Sequence, residues 1–125
     1  MTDPTEATRR GDEDAIVAAA LDYYEGWFDG NAARMDRALH PELAKRGLTD
    51  EQTVETDTAQ SMIDATAAGV GRRRDVPDRR IEVQVNHVHG DIAAAVVTSA
   101  IYVDYLHLVR VGGRWKIVNA LWAPA

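Results

Sequence analysis

The chain has 125 residues, with 14 basic against 20 acidic side chains and a net charge of -6. That length makes one domain able to bury roughly two-thirds of its unfolded surface, and the acidic balance excludes a general nucleic-acid binder, which needs a basic footprint to displace counterions from phosphates. The absence of cysteine excludes disulfides, thiolate catalysis and cysteine-ligated zinc or iron–sulfur sites, and with no apolar run of about 18 residues and no charged-then-apolar leader the expectation is a cytoplasmic protein without a membrane partner.

Residues 1–11 are polar and aperiodic and read as a flexible tail, which leaves a single domain over 12–125. From Asp12 the acidic triplet Asp12, Glu13 and Asp14 suits a helix N-terminus. The apolar positions Ile16, Val17, Ala20, Leu21, Tyr23, Tyr24, Trp27 and Phe28 then recur at helical spacing, with Asp22, Glu25 and Asp29 on the other side. A short second helix is predicted over 32–39, with Met35 and Leu39 inward, stopped at His40 because a residue before proline is driven out of the α region. Pro41 suits the first position of one further helical turn over 41–45, closed by Gly47. Residues 53–56 make at most a short edge strand. A third helix is predicted over 58–68 with Asp57 or Thr58 as cap, Met62, Ile63 and Thr66 inward, and Gly69 at its end. Residues 69–80 carry five arginines and Pro77 and read as a loop whose charges form a solvated surface.

From Ile81 the pattern changes to period two, with Ile81, Val83, Val85 and His87 on one side. A turn is expected at His89-Gly90-Asp91. The run from 92 to 111 is too long for one strand and is expected to break near Thr98, Ser99 and Ala100. Gly112-Gly113 between two β-rich runs specifies a two-residue primed hairpin turn, in which both central residues take positive φ. Pairing outward from that turn sets Leu108 opposite Ile117 and Leu106 opposite Asn119. It puts Asp104, Leu106, Leu108, Trp115, Ile117, Asn119 and Leu121 on one face, and His107, Val109, Val111, Lys116, Val118 and Ala120 on the other. Three helices followed by antiparallel strands make an α+β domain, with Tyr23, Tyr24 and Trp27 set against the face of Trp115 and Ile117.

Three stretches resemble the nuclear-transport-factor-2-like superfamily, which includes ketosteroid isomerase, polyketide cyclases and scytalone dehydratase. They are Tyr23-Tyr24-Glu25-Gly26-Trp27, His40-Pro41-Glu42-Leu43-Ala44-Lys45-Arg46, and Asp104-Tyr105-Leu106-His107-Leu108 through Gly113-Arg114-Trp115-Lys116-Ile117-Val118-Asn119. Within the superfamily the chain is most similar to the branch named for lumazine binding. The resemblance implies a cone-shaped, cystatin-like α+β fold in which N-terminal helices pack on a curved antiparallel sheet, with a pocket between sheet and helices. It implies a homodimer through the convex sheet face, here His107, Val109, Lys116 and Val118. It assigns no catalytic residue to a position in this chain.

Asp104 is the candidate general base, because a carboxylate on an apolar sheet face has its charge disfavoured and its pKa raised. As plain structure, Asp104 and Asn119 would instead bond to loop backbone or water. His40 is the second candidate catalytic group, with helix capping as its structural alternative. Tyr24 is either a core tyrosine with a bonded hydroxyl or a phenol facing the pocket, and Trp27 is core or a flat wall for an aromatic ligand. Lys45 and Arg46 read as surface charges. His87, His89 and His107 lack metal-ligand spacing, so no metal and no cofactor is expected. The leading expectation is a binder of a small hydrophobic or aromatic molecule held by Tyr24, Trp27, Leu108, Asp104 and Asn119. The alternatives are a cofactor-independent isomerase, cyclase or dehydratase using Asp104, and a dimerising interaction module without a ligand.

Overall fold

The structure, a computed structural model, describes residues 4–125. In chain order the elements are α1 (Pro4–Asp29), α2 (Ala32–Ala38), β1 (Leu39–Leu48), β2 (Val54–Asp57), α3 (Ala59–Ala67), a 3₁₀ turn at Arg72–Arg74, β3 (Glu82–His89), β4 (Ile92–Thr98), β5 (Tyr102–Val111) and β6 (Arg114–Pro124). The strands form one sheet in the order β2-β1-β6-β5-β4-β3. Neighbours are antiparallel except β1 and β6, which run parallel. The helices pack on this mixed sheet, the α+β arrangement expected.

Helix α1 starts at Pro4 rather than Asp12, so residues 4–11, read as tail, are helical, with 5–11 exposed; residues 1–3 lie outside the described residues. Proline is favoured at a helix's first position, where its missing N–H costs nothing, and Glu6 places charge in the first turn. The helix buries Ile16, Ala19, Ala20, Tyr23, Tyr24 and Phe28 at three- and four-residue spacing. Asn31 caps α2 by accepting from the Arg34 backbone N–H at 3.1 Å. The Asp22 carboxylate ties the two helices together, accepting from Arg34 Nε at 2.9 Å and from Arg37 Nε and Nη2 at 2.8 Å each. Thr58 caps α3 in a reciprocal box with Ser61.

The expected helical turn at 41–45 is instead part of strand β1. Its pairing with β6 is interrupted between Leu39 and Ala44, and Pro41, which cannot donate to a ladder, falls in that gap. Beyond it the strand is regular, and Leu43, Lys45 and Gly47 point inward. Gly47 closes no turn. A Cβ there would overlap the Trp122 indole, so glycine is what lets that ring lie against β1.

The Gly112-Gly113 turn forms as expected, with φ of 58° and 76° and Val111 opposite Arg114. The predicted register holds as far as Leu108 opposite Ile117 and then changes. A bulge at Val118 sets His107 opposite Asn119 and Leu106 opposite Ala120. Beyond the bulge every side chain of β6 changes face. Ala120 is buried, whereas Asn119 and Leu121 are exposed on the outer surface, contrary to the alternation counted from the turn. A second bulge, between Val85 and His87 in β3, likewise turns His87 outward while Val85 stays inward. The break at 99–100 is where expected, with Ser99 bonded to Tyr102 across the bend.

Helix α1 runs antiparallel to β5. Arg110 Nη1 bonds Asp12 at 2.5 Å near one end, and the Tyr24 and Phe28 rings lie 6.4 and 6.1 Å from Tyr102 at the other. The helix rises about 18 Å from Asp12 to Tyr24 and the strand spans about 20 Å from Arg110 to Asp104, so the two elements stay in step. The aromatic end of α1 therefore meets Tyr102 and Asp104, at the far end of the sheet face that also carries Trp115 and Ile117, the face against which the sequence reading sets it. Trp115 is buried at the hairpin end beneath the Arg110 guanidinium, 5.1 Å from the ring centroid.

Candidate functional site

Between the aromatic end of α1, helix α3 and strands β1, β2, β5 and β6 lies a cavity of about 240 Å³. For scale, a cavity of about 150 Å³ admits benzene. Inward parity on β5 brings Tyr102 and Asp104 to it, and inward parity on β1 brings Lys45. Trp122 arrives from β6 because the Val118 bulge turns it inward. Tyr23, Tyr24 and Trp27 come from α1, Met62 and Ala65 from α3, and Glu55 and Asp57 from β2.

Asp104 is the polar centre of this space, with 2% of its surface exposed. Its Oδ2 accepts from the Tyr23 hydroxyl at 3.0 Å and the Tyr24 hydroxyl at 3.3 Å. Consecutive residues on a helix diverge by about 100°; here two long phenols, set edge to face with centroids 5.3 Å apart, reach one carboxylate oxygen. Oδ1, equally buried, has no hydrogen-bond partner among the described residues, and neither has Trp122 Nε1. Burial pushes the Asp104 carboxyl above its usual range, against the opposing pull of Lys45 and the two tyrosine donors. Burial first, and then the charge of Asp104, raises both phenols well above their ordinary value, so they remain donors.

Lys45 is not a surface charge. It is 9% exposed, with Nζ 3.5 Å from Met62 Sδ, 4.9 Å from the Tyr23 ring centroid and 5.7 Å from that of Trp122. Burial lowers its ammonium pKa, opposed by Asp104 and Asp57. Its neighbour Arg46 points outward and is exposed.

Of the residues singled out in the sequence, Tyr24, Trp27 and Asp104 line the cavity together. Tyr24 is both core and pocket, since its ring is buried while its hydroxyl bonds Asp104. Trp27 is a wall whose indole N–H donates to the Tyr102 hydroxyl at 3.3 Å. Leu108 lies outside the lining and is a core residue at 1% exposure. Asn119 stands on the outer face, its Nδ2 3.2 Å from His107 Nδ1. His40 is in β1 away from the cavity, where its Nδ1 accepts from the Glu42 backbone N–H at 3.0 Å. Sequence reasoning missed Lys45, Tyr102 and Trp122. A signal existed for Tyr102, which shares the parity of Asp104; none existed for Trp122, whose parity depends on the bulge. His87, His89 and His107 border a shallow depression on the outer face, and among the described residues no group of three or more His, Asp or Glu side chains could hold a metal ion. Among those residues, no helix is long and apolar enough to cross a membrane.

Comparison with solved structures places this arrangement among similar folds. An NTF2-like protein of unknown function from Silicibacter pomeroyi superposes with a TM-score of 0.75 at 16% identity, over 94% of this chain and 98% of that one. An NTF2-like protein of unknown function from Shewanella baltica gives a TM-score of 0.71 at 17% identity, over 100% and 98%. An uncharacterized protein with a cystatin-like fold from Caulobacter vibrioides gives 0.69 at 16% identity, over 90% and 89%. No curated protein matches the sequence. The profile of the family described as "Putative lumazine-binding" matches residues 11–123, which takes in both helical and strand walls of the cavity. The chain thus belongs to that family, and its fold is the one seen in these NTF2-like and cystatin-like structures.

Proposed function

We propose that the protein binds a small, ring-containing organic molecule in the cavity around Asp104, its ring held among Tyr23, Tyr24, Trp27, Tyr102 and Trp122 and its polar edge met by Asp104. The observation that carries this reading is Asp104 Oδ1, buried and without a partner among the described residues at an apolar-lined cavity. A buried polar atom left unsatisfied costs about 1–3 kcal/mol, and a ligand N–H or O–H placed there recovers it. Pockets of this kind, mostly apolar with a few convergent polar groups, are the usual form of a small-molecule site.

The test is thermal denaturation in the presence of one- and two-ring compounds, lumazine among them. Binding to the native state alone raises the melting temperature, by about 2.7 kcal/mol of stabilisation at a hundredfold excess over Kd. Trp122→Ala should weaken that effect by tenfold or more in Kd, roughly 1.4 kcal/mol. Absence of any shift across the panel, or a shift indifferent to Trp122→Ala, would sink the reading.

The raised Asp104 carboxyl favours a second reading, cofactor-independent proton transfer in isomerase, cyclase or dehydratase chemistry, with Asp104 as the base. Turnover separates the two: an enzyme loses it in Asp104→Asn, whereas a binder shows none in either form. The variant of a binder shows only a weaker ligand-induced rise in melting temperature, because the amide offers one acceptor where the carboxylate offers two. We also propose a homodimer through the outer sheet face, around His107, Val109, Lys116 and Val118. The reading is supported by Tyr105 and Leu121, cross-strand partners on that face exposed at 57% and 54%, with Ile92 exposed at 55% further along it.

A further inference from the structure

We propose that Lys45 is an amine nucleophile that captures a ring-bearing aldehyde or ketone in the cavity as an imine. The proposal rests on the cavity reading above and adds the chemical class of the ligand and a covalent bond to it.

The placement of the amine is the first support. On β1, Lys45 pairs with Asp57 on one side and Ala120 on the other, and its side chain passes inward to end between the Tyr23 and Trp122 rings beside Met62 Sδ. Among the described residues no ion pair includes it. The choice of residue is the second. The chain uses arginine for nearly all its cations and has only two lysines, Lys45 and Lys116. A cation serving only to offset Asp104 is better made from arginine, whose planar fork matches a carboxylate and which never loses its charge. Lysine differs in being able to shed its proton in an apolar site, which turns it into a nucleophile. Burial acts on Lys45 in that direction.

Asp104 supplies the proton traffic. The neutral Nζ lone pair attacks the carbonyl carbon, a C–N bond forms as the C=O π bond opens onto oxygen, and one of the two Nζ protons passes from nitrogen to that oxygen to give a carbinolamine. The Asp104 carboxyl, biased by burial toward its protonated form, donates to the departing hydroxyl. The C–O bond breaks, water leaves, and the proton released from nitrogen returns to the carboxylate. Amine and carbonyl give imine and water, with no change of oxidation state.

The test incubates the protein with benzaldehyde and sodium cyanoborohydride near neutral pH, the borohydride delivering hydride to the imine carbon and fixing a secondary amine. Peptide mapping then compares Lys45 with its internal controls, Lys116, whose Nζ sits at the exposed Arg37 carbonyl, and the terminal amine. Lys45 should be modified severalfold faster than Lys116, because burial lowers its ammonium pKa and so raises its free-amine fraction. Benzyl alcohol, which has the ring but no carbonyl, should slow that modification, and Lys45→Met should abolish the adduct. Modification confined to Lys116 and the terminus, or equal at all three amines, overturns the proposal: Lys45 is then an ammonium held by aromatic faces. If benzyl alcohol or another ring compound of the panel still raises the melting temperature in that event, the imine fails and the cavity reading stands; if none does, both fail.

Discussion

Asp104 and Asp22 are carboxylates moved in opposite directions by their surroundings. Burial raises Asp104, whereas hydrogen bonds, first from Arg37 and then from Arg34, outweigh partial burial and lower Asp22. A carboxylate lowered in the native state contributes stability that is fully present above its unfolded value, about 3.9, and lost as pH falls through the folded value. Asp22→Asn should therefore cost about 1 kcal/mol near neutrality, given how exposed its arginine partners are. The gap from wild type in urea titrations should close on acidification below about pH 4. At Gly47 the issue is space. Gly47→Ala drives a methyl into the Trp122 indole and should cost about 1–3 kcal/mol. It should also shrink any ligand-induced rise in melting temperature, because the displaced ring is a cavity wall. Lys45 was hidden in the sequence for a related reason. Beside Arg46, and with a helical turn expected after Pro41, it read as half of a solvated basic pair; only strand parity separates the two side chains.

At the scale of elements, the features fixed by local stereochemistry were legible. The double glycine, which alone suits two consecutive positive φ values, gave the hairpin; Thr58 gave the start of α3; the break after Thr98 followed from strand length. Helix α1 was recognised by its stripe, although its first residues, which touch no core, carried no periodic signal. What was not legible was the bulge at Val118. An extra residue in a ladder is set by the partner strand and the bend of the sheet, and nothing in Ile117-Val118-Asn119 announces it. Alternation counted from the turn therefore stayed correct to Ile117 and put Asn119, Ala120 and Leu121 on the wrong faces beyond it. Two predictions belong here. Trp115→Ala, which removes a buried ring at the hairpin end, should cost about 3–5 kcal/mol in chemical denaturation. Deleting Val118 should remove the bulge yet leave the faces as they are, because Asn119 then follows Ile117 in regular alternation with Ala120 and Trp122 inward. Iodide quenching of tryptophan fluorescence should stay at the wild-type level, and a marked rise would refute this account of the bulge.

For the molecule as a whole, the family, the α+β class and the presence of a space between helices and sheet could be read from residues 23–27, 40–46 and 104–119; the composition of that space could be read only in part. Tyr24, Trp27 and Asp104 line it, while Leu108 is core and Asn119 and His40 lie elsewhere. The proposed dimer predicts that Leu121→Glu, a charge set on the exposed apolar sheet surface, converts the protein to monomers in light scattering without lowering ligand-induced stabilisation. A wild-type monomer would remove the idea. The single inserted residue in β6 also divides the last strand into two segments whose orientations are set separately, one by the turn and one by the bulge. Substitutions that resize the cavity end can then accumulate without disturbing the packing around Trp115, so the space between helices and sheet can change while the part that makes the chain fold is kept.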